Sequence, residues 1–269
     1  MALCRVDAAF IAFFSYLVGA EMARGVELQD VAVAGLVTFI STNFIYSFNS
    51  WADYEVDRIN KPYRPLPAGK ITPKAALWYT MVLLFLSLVY PLFVFNSFLA
   101  LFLFILLPLL GLIYSAKPFR TKTNPYLSIV TICIGLVTPM MLGYFMNSSD
   151  FSTIPFFVIL FLFCLSVVPI KQAEEAAVDK IIGTVNLYAK FGEKIIFYTL
   201  SGLSLVFVLT LFLTIEHGLK GLMLIFTASI FAYILFYTKQ KKKLERLYQH
   251  IIYIVTGEGV LFFCFRKLF

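Results

Sequence analysis

The chain of 269 residues is 61% hydrophobic and 17% aromatic, only 14% of its residues are charged, and its formal net charge is +7. Soluble globular domains carry roughly 25% charged residues, and the deficit here extends along the whole length, which excludes one apolar domain joined to a soluble one. Runs such as 81–95 and 101–114 approach the roughly 20 residues that a helix needs to cross a bilayer. The composition therefore predicts an all-α polytopic membrane protein.

Apolar segments follow one another along the chain, and nine of them are long enough for a membrane helix. The first has no clear cleavage site of a signal peptide and is interpreted as the first membrane helix. We expect a single transmembrane domain over 1–269. The predicted spans are about 7–24, 31–50, 74–95, 97–115, 125–146, 153–171, 195–215, 219–238 and 250–266.

Lysine and arginine are distributed unevenly among the connections between these spans. Eighteen of the 22 fall at the N-terminus and in every second connection, whereas four fall on the opposite side. Cytoplasmic connections of membrane proteins carry such an excess. The asymmetry predicts a multi-pass protein of the cell membrane with a cytoplasmic N-terminus, an outer C-terminus and its chemistry near the cytoplasmic face. Because topology explains the basic excess, no nucleic-acid partner is expected.

Three oxygen-bearing side chains are spaced four residues apart where the second span ends: Asn49, Asp53 and Asp57. Four residues advance a helix by about 400°, so these side chains share one face, while Glu55 lies off it and is interpreted as solvated. Charge at the end of a membrane helix is costly unless it lines a water-filled cavity or meets a partner. Oxygen-only donors suit Mg²⁺, which commonly binds through one or two carboxylates together with substrate phosphates. This first cluster is interpreted as a Mg²⁺ site.

A second cluster repeats the spacing 122 residues later, with Lys171, Glu175 and Asp179 on one helical face. The repetition indicates an internal duplication, with pseudo-repeats of about 1–124 and 125–249 and a ninth helix of about 250–266. Both acidic faces then meet on the cytoplasmic side, across a central cavity that about nine helices surround. The alternative is that each cluster is an ordinary solvated helix end.

Basic side chains surround the first cluster and are candidates for binding substrate phosphate. The alternative for any single one of these residues is that it only orients the helices in the membrane, as cytoplasmic Lys and Arg do. Prolines at 62, 65 and 67 end the helix and stiffen the connection that follows. The candidate substrate-binding residues are Arg58, Arg64, Lys117, Arg120 and Lys122, together with Asn49 of the first cluster and Lys171 of the second.

Three segments resemble the signatures of the UbiA superfamily of intramembrane prenyltransferases. Residues 49–72, NSWADYEVDRINKPYRPLPAGKIT, resemble its first signature, N-D-x-x-D-x-x-x-D followed by a loop that contains R-P. Residues 114–125, YSAKPFRTKTNP, resemble its Y-S-x-P-P-x-R-x-K segment. Residues 175–192, EAAVDKIIGTVNLYAKFG, lie where that family has its second D-x-x-x-D. The resemblance covers nearly the full length.

This resemblance implies transfer of an isoprenyl chain from its diphosphate to a lipophilic acceptor within membrane lipid. In that family two Mg²⁺ ions bridge the acidic motifs and the diphosphate. Carried over by position, the implied metal ligands are Asn49, Asp53, Asp57, Glu175 and Asp179. The implied catalytic residues are Asp53, Asp57, Asp179, Lys122 and Tyr114. The chain departs from the family pattern at Ser50, Glu175, Ala177 and Val178.

Two other functions stay open from the sequence. A relative that binds isoprenoid lipids and is weakened in catalysis would keep the fold with an altered second motif. A transporter would carry polar groups and helix interruptions near the membrane midplane, whereas the predicted spans hold little charge. His217 and His250 are expected to lack partners and to lie at the membrane interface. The acceptor is open between a glyceryl-phosphate lipid, which would take a geranylgeranyl chain, and a quinone-type aromatic compound.

Overall fold

The structure is a computed structural model that describes residues 6–94, 97–172, 187–213, 217–239 and 247–268. All regular secondary structure in these ranges is helical, including short 3₁₀ turns at Thr121–Thr123, Phe151–Thr153 and Val168–Ile170. The α-helices, in chain order, are α1 (Val6–Ala23), α2 (Leu28–Ala52), α3 (Tyr54–Asn60), α4 (Pro73–Val89), α5 (Pro91–Val94), α6 (Phe98–Ser115), α7 (Pro125–Asn147), α8 (Ile154–Val167), α9 (Leu187–Phe191), α10 (Lys194–Phe212), α11 (His217–Lys239) and α12 (Leu247–Leu268).

Seven helical stretches among the described residues are long and apolar enough to cross a membrane, judged by length and composition. The apolar stretch of α1, Ala8–Ala23, is shorter. The predicted all-α polytopic class is thereby confirmed, while the count of nine spans, the pseudo-repeats and the central cavity stay predictions. The seven stretches are Leu28–Ala52, Pro73–Phe93, Phe98–Ser115, Pro125–Asn147, Phe151–Ile170, Lys194–Phe212 and Gly218–Thr238.

The chain divides into two compact units. Unit 1 comprises residues 1–122 and 138–149, and unit 2 comprises 123–137 and 150–269, so that α7 contributes to both. Within unit 1, α1, α4 and α6 all pack against α2. The apolar cluster on α2 contains Ile40, Phe44 and Phe48 and meets Leu83 of α4. Helix α2 is therefore held firmly where it approaches the first acidic cluster.

Two glycines allow α1 and α7 to approach closely within unit 1. A β-carbon on Gly19 would lie 2.0 Å from the carbonyl oxygen of Met140, and one on Gly143 would lie 2.0 Å from that of Tyr16. No side chain fits at such distances, because folded interiors are already close-packed. The hydroxyl of Tyr16 also donates to the sulfur of Met146 at 2.7 Å. Small residues at helix interfaces are common in membranes for the same steric reason.

Unit 2 is built around α10, which packs against α8 and α11, while α12 packs against α11. An apolar cluster joins the start of α7 to elements that precede and follow the second acidic motif. Its buried members are Ile129, Cys133, Val168, Leu187 and Ile195.

Polar side chains also lie between α11 and α12. The Tyr233 hydroxyl and Nδ1 of His250 form a hydrogen bond of 2.7 Å, so the expectation that His250 lacks a partner is wrong. The error arises because the two helices lie side by side and bring together residues 17 positions apart. A second polar contact joins these helices, because Glu258 inside α12 is hydrogen-bonded to Ser229 of α11.

Candidate active site

The first acidic cluster lies where α2 ends and α3 begins. The sequence predicts one helical face through Asn49, Asp53 and Asp57; in the structure α2 ends at Ala52 and α3 begins at Tyr54, with Asp53 between them. Asp53 has φ −100° and ψ 10°, in the sparsely populated region that many active-site residues adopt. Its amide donates to the carbonyl of Asn49 at 3.0 Å, and the amide of Asp57 donates to its carbonyl at 2.7 Å. These bonds carry the four-residue repeat across the interruption.

Lys122 binds the first cluster directly. Its ammonium donates to Oδ1 of Asn49 at 3.0 Å and to Oδ2 of Asp53 at 2.6 Å. Ser115 Oγ donates to the same Asn49 oxygen at 3.0 Å. The side chains of Lys122 and Asp53 are only 13% and 17% exposed, so water screens their attraction weakly. Burial lowers the pKa of Lys122 from its ordinary value, and the Asp53 carboxylate opposes that shift.

Arg120 binds the other carboxylate oxygen of Asp53. Its Nη2 lies 3.0 Å from Oδ1. The φ angle of Arg120 is +33°, which residues other than glycine rarely adopt, and its amide donates to the carbonyl of Ala116 at 2.7 Å. Such a backbone costs on the order of 1–3 kcal/mol and persists where surrounding contacts determine it. The tight turn brings Arg120 and Lys122 to the same carboxylate.

The proline-rich connection after α3 brings Arg64 to Asp57. Nη1 of Arg64 lies 2.7 Å from Oδ2 of Asp57, whose side chain is only 5% exposed. Leu66 anchors the connection, because it is buried in an apolar cluster with Ala76 of α4. The main chain folds back on itself, with the amide of Ala68 donating to the carbonyl of Arg64 at 2.8 Å. The prolines thus belong to a packed turn that presents one guanidinium to the cluster.

Other predicted members of the site lie apart from these contacts. Arg58 pairs with Glu55 at 3.4 Å, and both side chains are mostly exposed, as predicted for Glu55. Lys117 is exposed in the connection between α6 and α7. Tyr114 is half-buried in the last turn of α6, beside Ser115. The structure therefore joins Arg64, Arg120 and Lys122 to the acidic cluster but not Arg58 or Lys117, and the roles of all five stay predictions.

The second acidic cluster is described only at its start. Lys171 follows the 3₁₀ turn Val168–Ile170 in unit 2. Glu175 and Asp179 lie outside the described residues. Their roles as metal ligands, and the role of Asp179 in catalysis, stay predictions.

Gln172 holds the chain on both sides of the second motif. Its side chain is buried, donates to the carbonyl of Pro125 at 3.2 Å and accepts from the amide of Leu187 at 2.6 Å. Neither Gln172 nor Ser115 is predicted from the sequence. Ser115 lies in the segment 114–125 that resembles the family signature, so its position could have indicated a role in the site. An isolated Gln beside an apolar span gives no such indication.

The donor chemistry of the first cluster fits a hard divalent cation. Among the described residues, no group of three His, Cys, Asp or Glu side chains is arranged to hold a metal ion. The cluster offers instead two carboxylates and one amide, and these are oxygen donors of the kind that Mg²⁺ binds. Two of them, from Asn49 and Asp53, already converge on one positive group, the ammonium of Lys122. The residues present are therefore suited to bind a cation whose remaining ligands are water or substrate phosphate oxygens.

Comparison with known proteins assigns the chain to a family. Residues 9–252 match the profile of the UbiA prenyltransferase family. The chain belongs to this family. Membership and the apolar helices make it a multi-pass membrane protein, as the composition predicts.

Several named proteins have sequences similar to this chain. The digeranylgeranylglyceryl phosphate synthase of Methanococcus aeolicus is 30% identical over 203 residues, which cover 72% of this chain and 69% of that enzyme. The enzyme of the same name from Methanosphaera stadtmanae is 36% identical over 87 residues, so this chain spans only 32% of its length. A probable homogentisate phytyltransferase 2 of Oryza sativa is 32% identical over 186 residues, covering 64% of this chain and 48% of that protein.

A solved structure shares the fold. The structure of a UbiA homolog from Archaeoglobus fulgidus, bound to GPP and Mg²⁺, aligns with a TM-score of 0.74 and covers 96% of this chain and 97% of that one. The two sequences are 19% identical, so the likeness concerns the fold alone.

Proposed function

We propose that this UbiA family member transfers a geranylgeranyl group from geranylgeranyl diphosphate to a glyceryl-phosphate lipid in a Mg²⁺-dependent reaction. One observation carries the proposal: carboxylates for a metal and cations for a phosphate meet at one end of a membrane helix. A diphosphate site needs both halves, because Mg²⁺ commonly bridges substrate phosphates to carboxylates while Arg and Lys neutralise the remaining charge. The residues concerned are Asn49, Asp53, Asp57, Arg64, Arg120 and Lys122.

The metal ligands follow from the two acidic motifs. Asn49, Asp53 and Asp57 would hold one ion, and Glu175 and Asp179 would hold a second. Bound Mg²⁺ would supply positive charge that stabilises the diphosphate as it departs.

The chain's own cations then act on the leaving group. Arg120 and Lys122 are held beside Asp53 in partly buried surroundings, where a fixed charge is more effective than in water. The bond between C1 of the prenyl chain and the diphosphate oxygen breaks, its electron pair stays on the diphosphate, and an allylic cation remains. A hydroxyl oxygen of the acceptor forms the new bond to C1, and its proton passes to solvent. The protein must hold the two reactants close and keep water from the cation.

The relatives support a lipid acceptor. The product named in both synthases carries two geranylgeranyl groups on glyceryl phosphate, so the acceptor in such a reaction already carries one. The rice relative is named for homogentisate, an aromatic acceptor, and supports a second candidate that matches the quinone-type alternative. We favour the lipid acceptor, because the synthase of Methanococcus aeolicus is covered over a larger share of its length.

We further propose that the site lies near the cytoplasmic face, with the N-terminus inside and the C-terminus outside. The support is the distribution of Lys and Arg along the chain. Arg64, Arg120 and Lys122 belong to the basic connections themselves, so the residues that orient the helices also line the site.

A transfer assay tests the proposal. Purified chain in detergent is supplied with geranylgeranyl diphosphate, Mg²⁺ and either geranylgeranylglyceryl phosphate or homogentisate, and products are identified by mass spectrometry. The expected product is the double ether of glyceryl phosphate, with a rate that falls at least about 100-fold in Asp53→Asn. Glu55→Gln serves as the matched control, because Glu55 is two residues away and mostly exposed, and its rate should equal that of wild type.

Other outcomes would replace the proposal. Prenylated homogentisate as the sole product would assign the aromatic acceptor. Diphosphate binding without any product would favour the lipid-binding relative. An Asp53→Asn variant as active as Glu55→Gln would remove Asp53 from the site.

A further inference from the structure

Each described member of the first acidic cluster is already bonded to a cation of the chain. Lys122 holds Asn49 and Asp53 at 3.0 and 2.6 Å. Arg120 holds the second oxygen of Asp53 at 3.0 Å, and Arg64 holds Asp57 at 2.7 Å. The oxygens that would bind Mg²⁺ in the proposed function therefore already accept hydrogen bonds from Lys and Arg side chains of the chain.

Lys122 and a metal ion cannot share these oxygens at low cost. Mg²⁺ binds oxygen at about 2.0–2.1 Å in near-octahedral geometry, and the Lys122 ammonium touches an oxygen from each of two predicted ligands. Like charges a few ångströms apart repel strongly where little water screens them, and this pair is mostly buried. Asn49 and Asp53 would therefore bind a metal ion in competition with the Lys122 ammonium.

A displaced Lys122 has an obvious new partner. Its ammonium is a compact charge on a flexible four-carbon stem, and a diphosphate bound at the metal would lie within reach of it. Arg120 contacts the other carboxylate oxygen of Asp53, whereas Lys122 contacts two of the three predicted ligands of the first cluster. Lys122 is thus the cation of this cluster best suited to change partner.

We propose that Lys122 exchanges partners: it holds Asn49 and Asp53 in the metal-free site and passes to the diphosphate when Mg²⁺ enters. The inference rests on the proposed function and describes how that site is regulated. Mg²⁺ alone binds weakly, because the displaced ammonium has no anion to receive it. Diphosphate removes this penalty, so metal and diphosphate each raise the affinity of the site for the other by the same factor. The exchange also keeps the buried carboxylates paired when no substrate is present.

The test is the affinity of the purified, full-length protein for Mn²⁺ as a Mg²⁺ substitute, followed by electron paramagnetic resonance. It is measured with and without geranylgeranyl diphosphate in wild type, Lys122→Met, Lys122→Arg and Lys70→Met. Lys70 is an exposed residue of a basic connection and controls for the loss of one positive charge.

The proposal predicts that Lys122→Met binds Mn²⁺ alone at least about tenfold more tightly than wild type, while the gain from added diphosphate shrinks by a similar factor. Lys122→Arg keeps a cation at the position and should stay close to wild type in Mn²⁺ affinity, as should Lys70→Met. Unchanged Mn²⁺ affinity in Lys122→Met, or an unchanged gain from diphosphate, would overturn the exchange while leaving the proposed function intact. Wild type that binds no Mn²⁺ even with diphosphate would overturn both.

Discussion

The side chains of the site form ion pairs whose partners are often far apart in the sequence. Lys122 and Asp53 are separated by 69 residues, whereas Arg64 and Asp57 are separated by seven. Exposed ion pairs stabilise proteins little, but a buried carboxylate that loses its partner is costly. Asp57 is the more buried of the two carboxylates, so its pair with Arg64 should matter most for stability.

Arg64→Met is expected to lower the free energy of unfolding by about 1–3 kcal/mol, because it leaves a buried acceptor without its partner. Thermal unfolding in detergent measures the loss. Arg58→Met is the control, since Arg58 pairs with Glu55 at the surface, and its effect should stay within about 0.5 kcal/mol. Equal stability of the two variants would contradict the structural role given to Arg64.

Residue types are easier to predict from this sequence than residue partners. The four-residue spacing and the resemblance identify Asn49, Asp53 and Asp57 as a cluster. They do not identify which cations reach it, because Arg120 does so through a left-handed backbone that no sequence pattern marks. Arg58 and Lys117 have the same charge as Arg64 and Lys122, yet the fold directs them elsewhere.

Apolar runs predict most helices of the described chain, since hydrophobic length is a strong signal in membrane proteins. The interruption between α2 and α3 is not predictable in this way, because the four-residue repeat of Asn49, Asp53 and Asp57 continues through it. The close contact of α1 and α7 cannot be predicted from the sequence either. Its two glycines lie 124 residues apart, and nothing in the neighbouring sequence distinguishes them from the other glycines.

Gly143→Ala is expected to destabilise unit 1 by about 1–3 kcal/mol, since the new methyl group would collide with the main chain of α1. Gly135→Ala is the matched control in the same helix, where a β-carbon meets nothing within 4 Å. That change should leave stability unaltered or raise it by up to about 1 kcal/mol through helix propensity. The midpoint of thermal unfolding, followed by size-exclusion chromatography in detergent, compares the two. A Gly143→Ala protein as stable as Gly135→Ala would refute the close packing.

The fold class of the whole molecule is the property most easily predicted from the sequence. Composition predicts the all-α polytopic class, and both the helices and the family confirm it. The count of nine spans, the pseudo-repeats and the orientation in the membrane stay predictions. Orientation depends on which connections face the cytoplasm, and the distribution of Lys and Arg predicts it.

We propose that both acidic motifs bind one diphosphate through Mg²⁺. The most direct measurement is the binding of geranylgeranyl diphosphate to purified wild type, Asp53→Asn, Asp179→Asn and the control Glu55→Gln, with and without Mg²⁺. We expect tight binding that requires Mg²⁺ in wild type and Glu55→Gln and that is lost in both aspartate variants. Binding that is indifferent to Mg²⁺, or that survives in Asp179→Asn, would contradict the claim.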